Sequence, residues 1–545
     1  MATTRPIEPA LKTLWRGLGF VAAGLVQSLS IAAPWNGQPL WWLQLVPMVF
    51  LVWQLQGIRF DAAPRPARYA FGFGWLFATA WLSGTFWWLF ISLHTYGGLG
   101  APLAVIAVLA LAAALALYYA LACGLFVRFA PSNRLAATLF FAALWTVAEL
   151  LRGSWFTGFP WGAIGYAHVD GPLAAAAPWV GVYGVGAIAA ALAAAIAATV
   201  AATTSAIAGT RPQGRSTSQR FAPLASAVAL LIVAWALDGV RGAVDAPELS
   251  SGKLDVVLLQ GNIPQDEKFI PGGGVATALR WYGEQLNDPK ASLTITPETA
   301  IPLLPSQLPP GYLESIAARY ATGRQAAIVG LPIGNGTTYS NAVLGFQPGA
   351  SGVYRYDKHH LVPFGEFVPS MFRWFTDLMN IPLGDFRSGG FAQALFVWQG
   401  QRIAPNICYE DLFGDEIGAN FRDAANAPTI LLNVSNIAWF GDSVAIDEHL
   451  SISRMRSLEF QRPMVRATNT GATVVIDHRG RVVRSLPRLT RGVLLAEVEG
   501  RSGITPYAWW VSRFGLWPLW GLSLLMIACT ISLRCRRGDQ RGNGK

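Results

Sequence analysis

The sequence predicts a polytopic α-helical membrane bundle of about eight spans joined to a single α/β domain on the outer side of the membrane. Hydrophobic residues make up 53% of the 545 residues and charged residues only 13%, whereas an ordinary soluble protein carries about 25% charged residues. The shortage of charge is concentrated in residues 1–240 and in a stretch near the C-terminus. Residues 245–505 instead alternate short apolar runs with amphipathic segments, which is typical of a layered α/β domain.

The membrane bundle is predicted from segments that stay apolar over the roughly 20 residues a helix needs to cross a bilayer core. These segments are 15–33, 39–57, 70–93, 101–125, 135–153, 173–203, 221–239 and 513–533. The chain is therefore expected to divide into a seven-span membrane domain at 1–244, an α/β domain at 245–505, and a closing span with a basic tail at 506–545.

Lysine and arginine fall unevenly around the predicted spans. With the N-terminus in the cytoplasm, the inside segments carry sixteen basic residues, whereas the three short outside loops carry at most Arg152. This asymmetry follows the positive-inside rule and predicts that residues 245–505 lie outside. That domain holds 22 Lys and Arg against 25 Asp and Glu, a net charge of −3, which argues against nucleic acid as a partner.

The α/β domain is predicted from apolar runs of strand length separated by helical patterns. The predicted strands are 254–260, 292–296, 326–330, 341–346, 402–407, 429–433, 472–477 and 493–498. The predicted helices are 274–288, 311–323, 412–425 and 443–462.

Cys408 is the one cysteine of the sequence in the predicted outside domain. Structural cysteines in an oxidising compartment usually come in pairs, so a lone thiol there is either a buried bystander or a nucleophile. Cys408 follows the apolar run RIAPNI, and the end of a strand holds a nucleophile rigidly while exposing it. A thiol needs a base, and the residues leave two kinds open: a histidine, or Glu298 after the run SLTITP. The histidines of the domain are His359, His360, His449 and His478, and their spacing does not predict a metal site.

Four segments of the domain together resemble the nitrilase superfamily. They are TPETA (296–300), YDKHHLVPFGEFVP (356–369), NICYED (406–411) and NVSNIAWFGDS (433–443). That superfamily carries a Glu, a Lys and a Cys in this chain order, so the resemblance implies an α-β-β-α sandwich and a Glu–Lys–Cys triad. The catalytic residues that it implies are Glu298, Lys358 and Cys408, and the supporting residues are Glu366, Tyr409 and Glu410.

Along essentially its whole length, the sequence resembles the apolipoprotein N-acyltransferase family. Further segments carrying this resemblance are ELLRGSWFTGFPW (149–161), QGNIPQ (260–265) and HLSISRMRSLEFQRP (449–463). The resemblance implies transfer of a fatty acyl group from phospholipid to the α-amino group of a lipoprotein's N-terminal diacylglyceryl-cysteine. It also implies a bacterial inner-membrane protein with a periplasmic catalytic domain and cytoplasmic termini. The sequence departs from the family at Thr296 and Phe269, where tryptophan is usual.

The implied chemistry is ping-pong and requires no metal or cofactor. Cys408 attacks the ester carbonyl and becomes a thioester, while Glu298 acts as the general base. Lys358 and a backbone N–H, expected to be that of Tyr409, stabilise the oxyanion, and the cation should favour the thiolate. The expected partners are a phospholipid donor, a diacylglyceryl-modified lipoprotein acceptor and the bilayer, and the protein is expected to be a monomer.

Aromatic residues are the candidates for substrate contact, namely Trp161, Phe269, Trp374, Phe375 and Trp439. Trp439 in WFG and Trp161 in FPW are either core residues or acyl-chain contacts, and we favour substrate contact. Trp374 and Phe375 belong to MFRWFTDLMNI (371–381), which reads either as an amphipathic core helix or as a mobile arm that gates lipid access. We favour the arm, because it lies between Lys358 and Cys408 in the sequence.

Two other classes of function stay open at this point. A membrane-tethered amidase or nitrilase would use the same triad with water as the acceptor, but would not need seven spans and the GFPW loop. A transporter or receptor with an inactive binding domain would place ionisable residues at the membrane centre, where this sequence has almost none. The acyltransferase is therefore the function that the sequence favours.

Overall fold

The computed structural model describes residues 7–60, 64–207, 249–334, 338–368 and 386–542. The chain divides into two compact units. The first unit comprises Met1–Phe90, Gly100–Arg241 and Leu516–Lys545, and the second comprises Ile91–Leu99 and Gly242–Gly515.

The first unit is helical throughout its regular structure. Its described helices are α1 (Ile7–Ser28), α2 (Trp41–Phe60), α3 (Pro66–Thr85), α4 (Ala101–Phe129), α5 (Arg134–Ser154), α6 (Ala177–Ile207) and a C-terminal helix (Trp517–Gly542). Within the described residues, five stretches are long and apolar enough to cross a membrane. They are Trp41–Arg59, Ala101–Phe129, Arg134–Thr157, Pro172–Thr204 and Trp517–Arg534. The predicted span at 221–239 lies outside the described residues.

Two of the predicted spans end earlier in the structure than the hydropathy pattern indicates. Helix α1 ends at Ser28 instead of residue 33, because Pro34 and a tight turn that closes with the Gly37 N–H donating to the Ala33 carbonyl (2.7 Å) follow it. Helix α3 ends at Thr85. A separate π-helical turn follows at Ile91–Tyr96, in a segment that belongs to the second unit.

Two charged residues of α5, Glu149 and Arg152, are buried and organise the loop that follows that helix. The Arg152 guanidinium donates to the carbonyl oxygens of Phe159 (2.7 Å) and Trp161 (2.5 Å). The Glu149 carboxylate accepts from the Ile164 N–H at 3.0 Å. These contacts satisfy backbone groups that the non-helical loop leaves without helical partners.

The second unit contains twelve described strands in two sheets of six. The strands are β1 (Ser250–Gln260), β2 (Leu293–Ile295), β3 (Ala326–Gly334), β4 (Tyr339–Phe346), β5 (Tyr354–Asp357), β6 (Phe396–Trp398), β7 (Gln401–Ile407), β8 (Ile430–Ser435), β9 (Met464–Thr468), β10 (Val474–Ile476), β11 (Val482–Ser485) and β12 (Gly492–Arg501). The first sheet has the order β12-β1-β2-β3-β4-β5 and the second has the order β11-β10-β9-β8-β7-β6. Strands β1, β2 and β3 run parallel, as do β7, β8 and β9. The carboxyl ends of the parallel strands within each sheet therefore lie together at one edge.

The two sheets pack face to face, and helices cover their outer faces. In β1, Leu254, Val256 and Leu258 enter the core between the sheets, whereas Val257 and Leu259 face the outer helix layer. This alternation follows from the period-2 geometry of a strand. The helices in the described part of this unit are α7 (Ala276–Asn287), α8 (Tyr312–Ala321), α9 (Gly414–Gly418), α10 (Ala445–Phe460) and α11 (Pro506–Phe514).

Every predicted strand overlaps an observed strand, and every predicted helix of the domain overlaps an observed helix. Four observed strands, β5, β6, β9 and β11, were not predicted. The predicted helix at 412–425 is correct only over Gly414–Gly418, after which a 3-10 turn takes over at Ala419–Phe421.

Candidate active site

Three side chains with acyl-transfer chemistry follow the ends of strands in the second unit. Glu298 comes three residues after β2, Lys358 directly after β5, and Cys408 directly after β7. The Lys358 Nζ lies 3.6 Å from Glu298 Oε1. The fold thus brings together a carboxylate and an ammonium that are 60 positions apart in the sequence.

Cys408 is held in an unusual backbone conformation. Its φ is +53°, in the left-handed region that a residue with a Cβ rarely adopts, and such a conformation costs on the order of 1–3 kcal/mol. The Cys408 carbonyl accepts hydrogen bonds from Asn433 Nδ2 and from His449 Nε2, each at 3.2 Å. These two donors fix the sharp bend that turns the thiol out of the strand.

A buried polar network lies behind Cys408. His449 Nε2 also donates to Asp411 Oδ1 at 2.8 Å, while His449 Nδ1 accepts from Arg466 Nη2 at 3.1 Å. Arg466 lies 3.3 Å from the second Asp411 oxygen, and the Ser453 hydroxyl donates to Asp411. Burial raises the pKa of Asp411, but His449 and Arg466 outweigh it, so the pKa falls below its ordinary value. Both ring nitrogens of His449 are engaged in this network, which favours Glu298 over His449 as the base for the thiol.

Glu298 is buried, with 7% of its surface exposed. Its Oε1 accepts from Asn341 Nδ2 at 2.6 Å, and its Oε2 accepts from the Asn436 N–H at 2.7 Å. Donors on both oxygens fix the orientation of the carboxylate. A base held in this way does not need to reorganise before it takes a proton.

Lys358 is buried between two carboxylates. Its Nζ lies 2.9 Å from Glu366 Oε2 and 3.6 Å from Glu298 Oε1. Burial alone would lower the pKa of Lys358, but the charges of Glu366 and Glu298 outweigh it and raise the pKa above its ordinary value. The raised pKa favours the charged form of Lys358, and the supporting role of Glu366 stays a prediction.

Burial and a neighbouring carboxylate disfavour the thiolate form of Cys408. Although part of the residue reaches solvent, protein atoms crowd the sulfur, and burial together with the charge of Glu298 raises the pKa of Cys408 to about 12. Lys358 acts in the opposite direction, as expected from the sequence, but is outweighed. Attack by Cys408 therefore requires removal of its proton by a nearby base.

Glu410 braces the backbone on both sides of the site. Its carboxylate accepts from the N–H of Ile407 (2.5 Å) and of His359 (2.7 Å), and from the Tyr356 hydroxyl (3.0 Å). Burial raises the pKa of Glu410 to about 7, against the lowering effect of these donors. Glu410 thereby ties the start of the Cys408 turn to the segment that carries Lys358.

Tyr409 and the two histidines after Lys358 also pack around this turn. Tyr409 is buried, and its ring lies 5.3 Å from that of Phe413. His359 Nδ1 is 2.8 Å from the Gly389 carbonyl, and His360 Nδ1 is 2.8 Å from Glu416. Among the described residues, no group of three or more His, Cys, Asp or Glu side chains is arranged to hold a metal ion.

The aromatic candidates lie in different surroundings. Phe269 is 53% exposed and lines a cavity of about 260 Å³ that also touches Asn341, a partner of Glu298. Trp439 is 41% exposed, and its ring meets that of Tyr96 edge-on at 5.9 Å. Trp161 belongs to the first unit, where it is buried with its ring 4.7 Å from Trp88. Their roles in substrate contact stay predictions.

Trp374 and Phe375, with the proposed arm at 371–381, lie outside the described residues.

Lys268 is a residue of the site that sequence reasoning missed. It is buried, with 2% of its surface exposed, and its Nζ donates to the Glu298 carbonyl oxygen at 3.3 Å. In the sequence it ends the polar stretch QDEK, which looks like an ordinary solvated turn. The one available signal was its position directly before Phe269, in a segment that already carried the family resemblance.

Comparisons with known proteins agree along both units. The family model described as apolipoprotein N-acyltransferase N-terminal domain matches residues 23–195, and the model described as carbon-nitrogen hydrolase matches residues 259–507. An apolipoprotein N-acyltransferase of Verminephrobacter eiseniae is 56% identical over 92% of this chain and 94% of its own. One from Ralstonia nicotianae is 44% identical over 91% of this chain and 90% of its own. A solved CN-hydrolase superfamily protein from Xanthomonas campestris is 19% identical to this chain, with a TM-score of 0.34. The match covers 49% of this chain and 96% of the chain of that protein. This likeness is too low to carry a functional conclusion.

Proposed function

Because the chain belongs to the apolipoprotein N-acyltransferase family, we propose that it transfers a fatty acyl group from phospholipid to the N-terminal α-amino group of a diacylglyceryl-modified lipoprotein. The observation that carries the proposal is the pairing of the Glu298 carboxylate with the Lys358 ammonium at 3.6 Å, with both charges acting on the pKa of the Cys408 thiol. A base, a cation and a nucleophile are the three groups that acyl transfer through a thioester requires.

In the first half-reaction, Glu298 takes the proton from the Cys408 thiol as the sulfur attacks the carbonyl carbon of the phospholipid ester. The carbonyl oxygen becomes an oxyanion, which the positive charge of Lys358 stabilises. Collapse of this tetrahedral intermediate breaks the C–O bond. The leaving alkoxide takes the proton from Glu298 and departs as lysophospholipid, leaving the acyl group on sulfur.

In the second half-reaction, the α-amino group of the lipoprotein attacks the thioester carbonyl. Glu298 accepts the proton that the nitrogen loses, and collapse of the intermediate breaks the C–S bond. The Cys408 thiolate takes this proton back, and the product is an amide. Thioesters suit this step because an amine attacks them faster than it attacks an ester.

The proposed setting is a bacterial inner membrane, with the second unit in the periplasm and both termini in the cytoplasm. A two-chain phospholipid does not leave the bilayer at low cost, since each CH₂ exposed to water costs about 0.8 kcal/mol. The donor is therefore expected to approach Cys408 from the membrane surface. Topology is tested with Lys290→Cys, at an exposed position of the second unit. A membrane-impermeant maleimide should label this variant in intact spheroplasts, and labelling only after lysis would contradict a periplasmic domain.

The activity is tested with purified enzyme, phospholipid carrying a labelled acyl chain, and a diacylglyceryl-cysteinyl peptide. We expect labelled N-acyl peptide and little free fatty acid. The same peptide with an acetylated N-terminus is the matched control and should accept no label. Rapid release of labelled fatty acid that does not depend on the peptide would instead indicate a hydrolase that uses water as acceptor.

A further inference from the structure

Lys268 points inward from a turn in which its nearest neighbours are exposed. Its neighbours Asp266, Glu267 and Phe269 are exposed, whereas Lys268 is buried. The turn is tight, because the Gly274 N–H donates to the Glu267 carbonyl at 3.1 Å. A Cβ at Gly274 would lie 2.4 Å from that carbonyl oxygen, so only glycine permits this approach. The local backbone is thus built to direct the Lys268 side chain into the protein.

The surroundings of the Lys268 ammonium differ from those of Lys358. In the described part of the chain, Lys268 Nζ donates to the carbonyl oxygen of Glu298 at 3.3 Å. An ammonium has three donors, and burial without a close carboxylate is unfavourable. Burial accordingly lowers the pKa of Lys268 to about 8, although Glu298 and Cys408 act to raise it. A buried cation held at such a cost beside reacting groups is typical of a functional site.

The charges around the nucleophile explain what this cation contributes. Lys358 is committed to the carboxylates of Glu366 and Glu298, which leaves two carboxylates against one ammonium. Lys268 adds a second ammonium, which contacts Glu298 through its backbone carbonyl and whose pKa is raised by the charges of Glu298 and Cys408. Proton transfer from the thiol moves negative charge from Glu298 to sulfur and then to the oxyanion. Among the described residues, the partner of Lys268 Nζ is a backbone carbonyl and not a carboxylate.

We propose that Lys268 is a positioning residue of the site, which holds Glu298 through its backbone carbonyl and supplies the second positive charge needed when negative charge moves to Cys408. This inference rests on the proposed acyl transfer. It adds Lys268 to the work of Lys358: Lys358 balances the carboxylates at rest and stabilises the oxyanion, and Lys268 stabilises the negative charge that appears on Cys408.

The test is single-turnover acyl-enzyme formation from phospholipid between pH 6 and 10, together with the melting temperature. Lys268→Met removes the charge at similar volume, and Lys290→Met removes an exposed lysine of the same unit as the matched control. We expect Lys268→Met to slow acyl-enzyme formation by about 100-fold, as for loss of one preorganised charge-stabilising group. The rising limb of its pH profile should move up by on the order of one unit, because a nearby cation lowers the pKa of acids. Its melting temperature should stay level or rise, and Lys290→Met should match the wild type in every measurement.

Two further variants separate charge from structure. Lys268→Arg keeps the charge and should leave the limb of the pH profile near its wild-type position. Lys268→Gln keeps a donor for the Glu298 carbonyl but removes the charge. If Lys268→Met fails to fold, Lys268→Gln provides the same test. The proposal is overturned if the rising limb of the pH profile stays at its wild-type position in the uncharged variants. This holds whether or not the rate or the melting temperature of those variants falls. If the wild type itself forms no acyl-enzyme, the proposed function fails first.

Discussion

Replacing Glu366 with glutamine perturbs the site at the point where the structure permits only an anion. The Glu366 carboxylate is surrounded by donors: Lys358 Nζ, the Val362 N–H and Asn341 Nδ2, each 2.9 Å from one of its oxygens. A glutamine amide carries its own donor, which must then face another donor. Glu366→Gln also leaves Lys358 to pair with Glu298 alone, which makes Glu298 a weaker base.

The size of the effect follows from the contacts that are lost. Hydrogen bonds to charged groups contribute about 1.5–3 kcal/mol each. If one such contact is lost in the transition state, acyl-enzyme formation should slow by about 10- to 150-fold, since each 1.36 kcal/mol is a factor of ten in rate.

The assay is quenched single-turnover acyl-enzyme formation from phospholipid carrying a labelled acyl chain. Glu284→Gln is the matched control, because Glu284 is exposed on α7 and its change to an amide should leave the rate unaltered. A Glu366→Gln rate within about twofold of wild type would refute the reasoning, since a twofold change corresponds to less than 1 kcal/mol.

Three further predictions concern other parts of the site. Asn433→Leu removes one of the two donors to the Cys408 carbonyl. Leaving that acceptor under-satisfied should cost about 1–3 kcal/mol and lower both the melting temperature and the acylation rate. Unchanged values would show that Asn433 does not hold the Cys408 backbone in place. Burial raises the pKa of Glu410 from 4.5 to about 7, so its contribution to stability is present below about pH 4.5 and is lost as the pH rises through about 7. Between pH 5 and 8, the melting temperature should therefore fall less in Glu410→Gln than in wild type. An equal fall of the melting temperature in both proteins would contradict this contribution of Glu410. Phe269→Ser removes an apolar wall of the cavity beside Asn341 and should raise KM for phospholipid more than it lowers kcat, whereas an equal loss in both would oppose a role in lipid binding.

The sequence predicted the parts of the fold that depend on local pattern. Strands such as β1 were found because their apolar residues pack on both faces of a buried sheet. Glu298 and Cys408 were singled out because each follows such a run. That Glu298 and Lys358 meet at 3.6 Å depends on sheet order, which no local pattern contains.

The features that were missed depend on distant partners. Strand β9 reads MVRAT, and its central Arg466 argues against a buried strand unless the carboxylate of Asp411 is known to lie beside it. Lys268 was overlooked for the same reason, since its described hydrogen-bond partner, the Glu298 carbonyl, lies 30 positions away.

The measurement that tests the central claim most directly is mass spectrometry of the purified enzyme after incubation with phospholipid alone. The account predicts that the peptide containing Cys408 gains one acyl group, that neutral hydroxylamine removes it, and that adding the diacylglyceryl-cysteinyl peptide transfers it to the amine. Cys408→Ala should show neither the adduct nor the product. N-acyl peptide formed at a normal rate by Cys408→Ala, or an acyl group found on another residue, would contradict a thioester on Cys408.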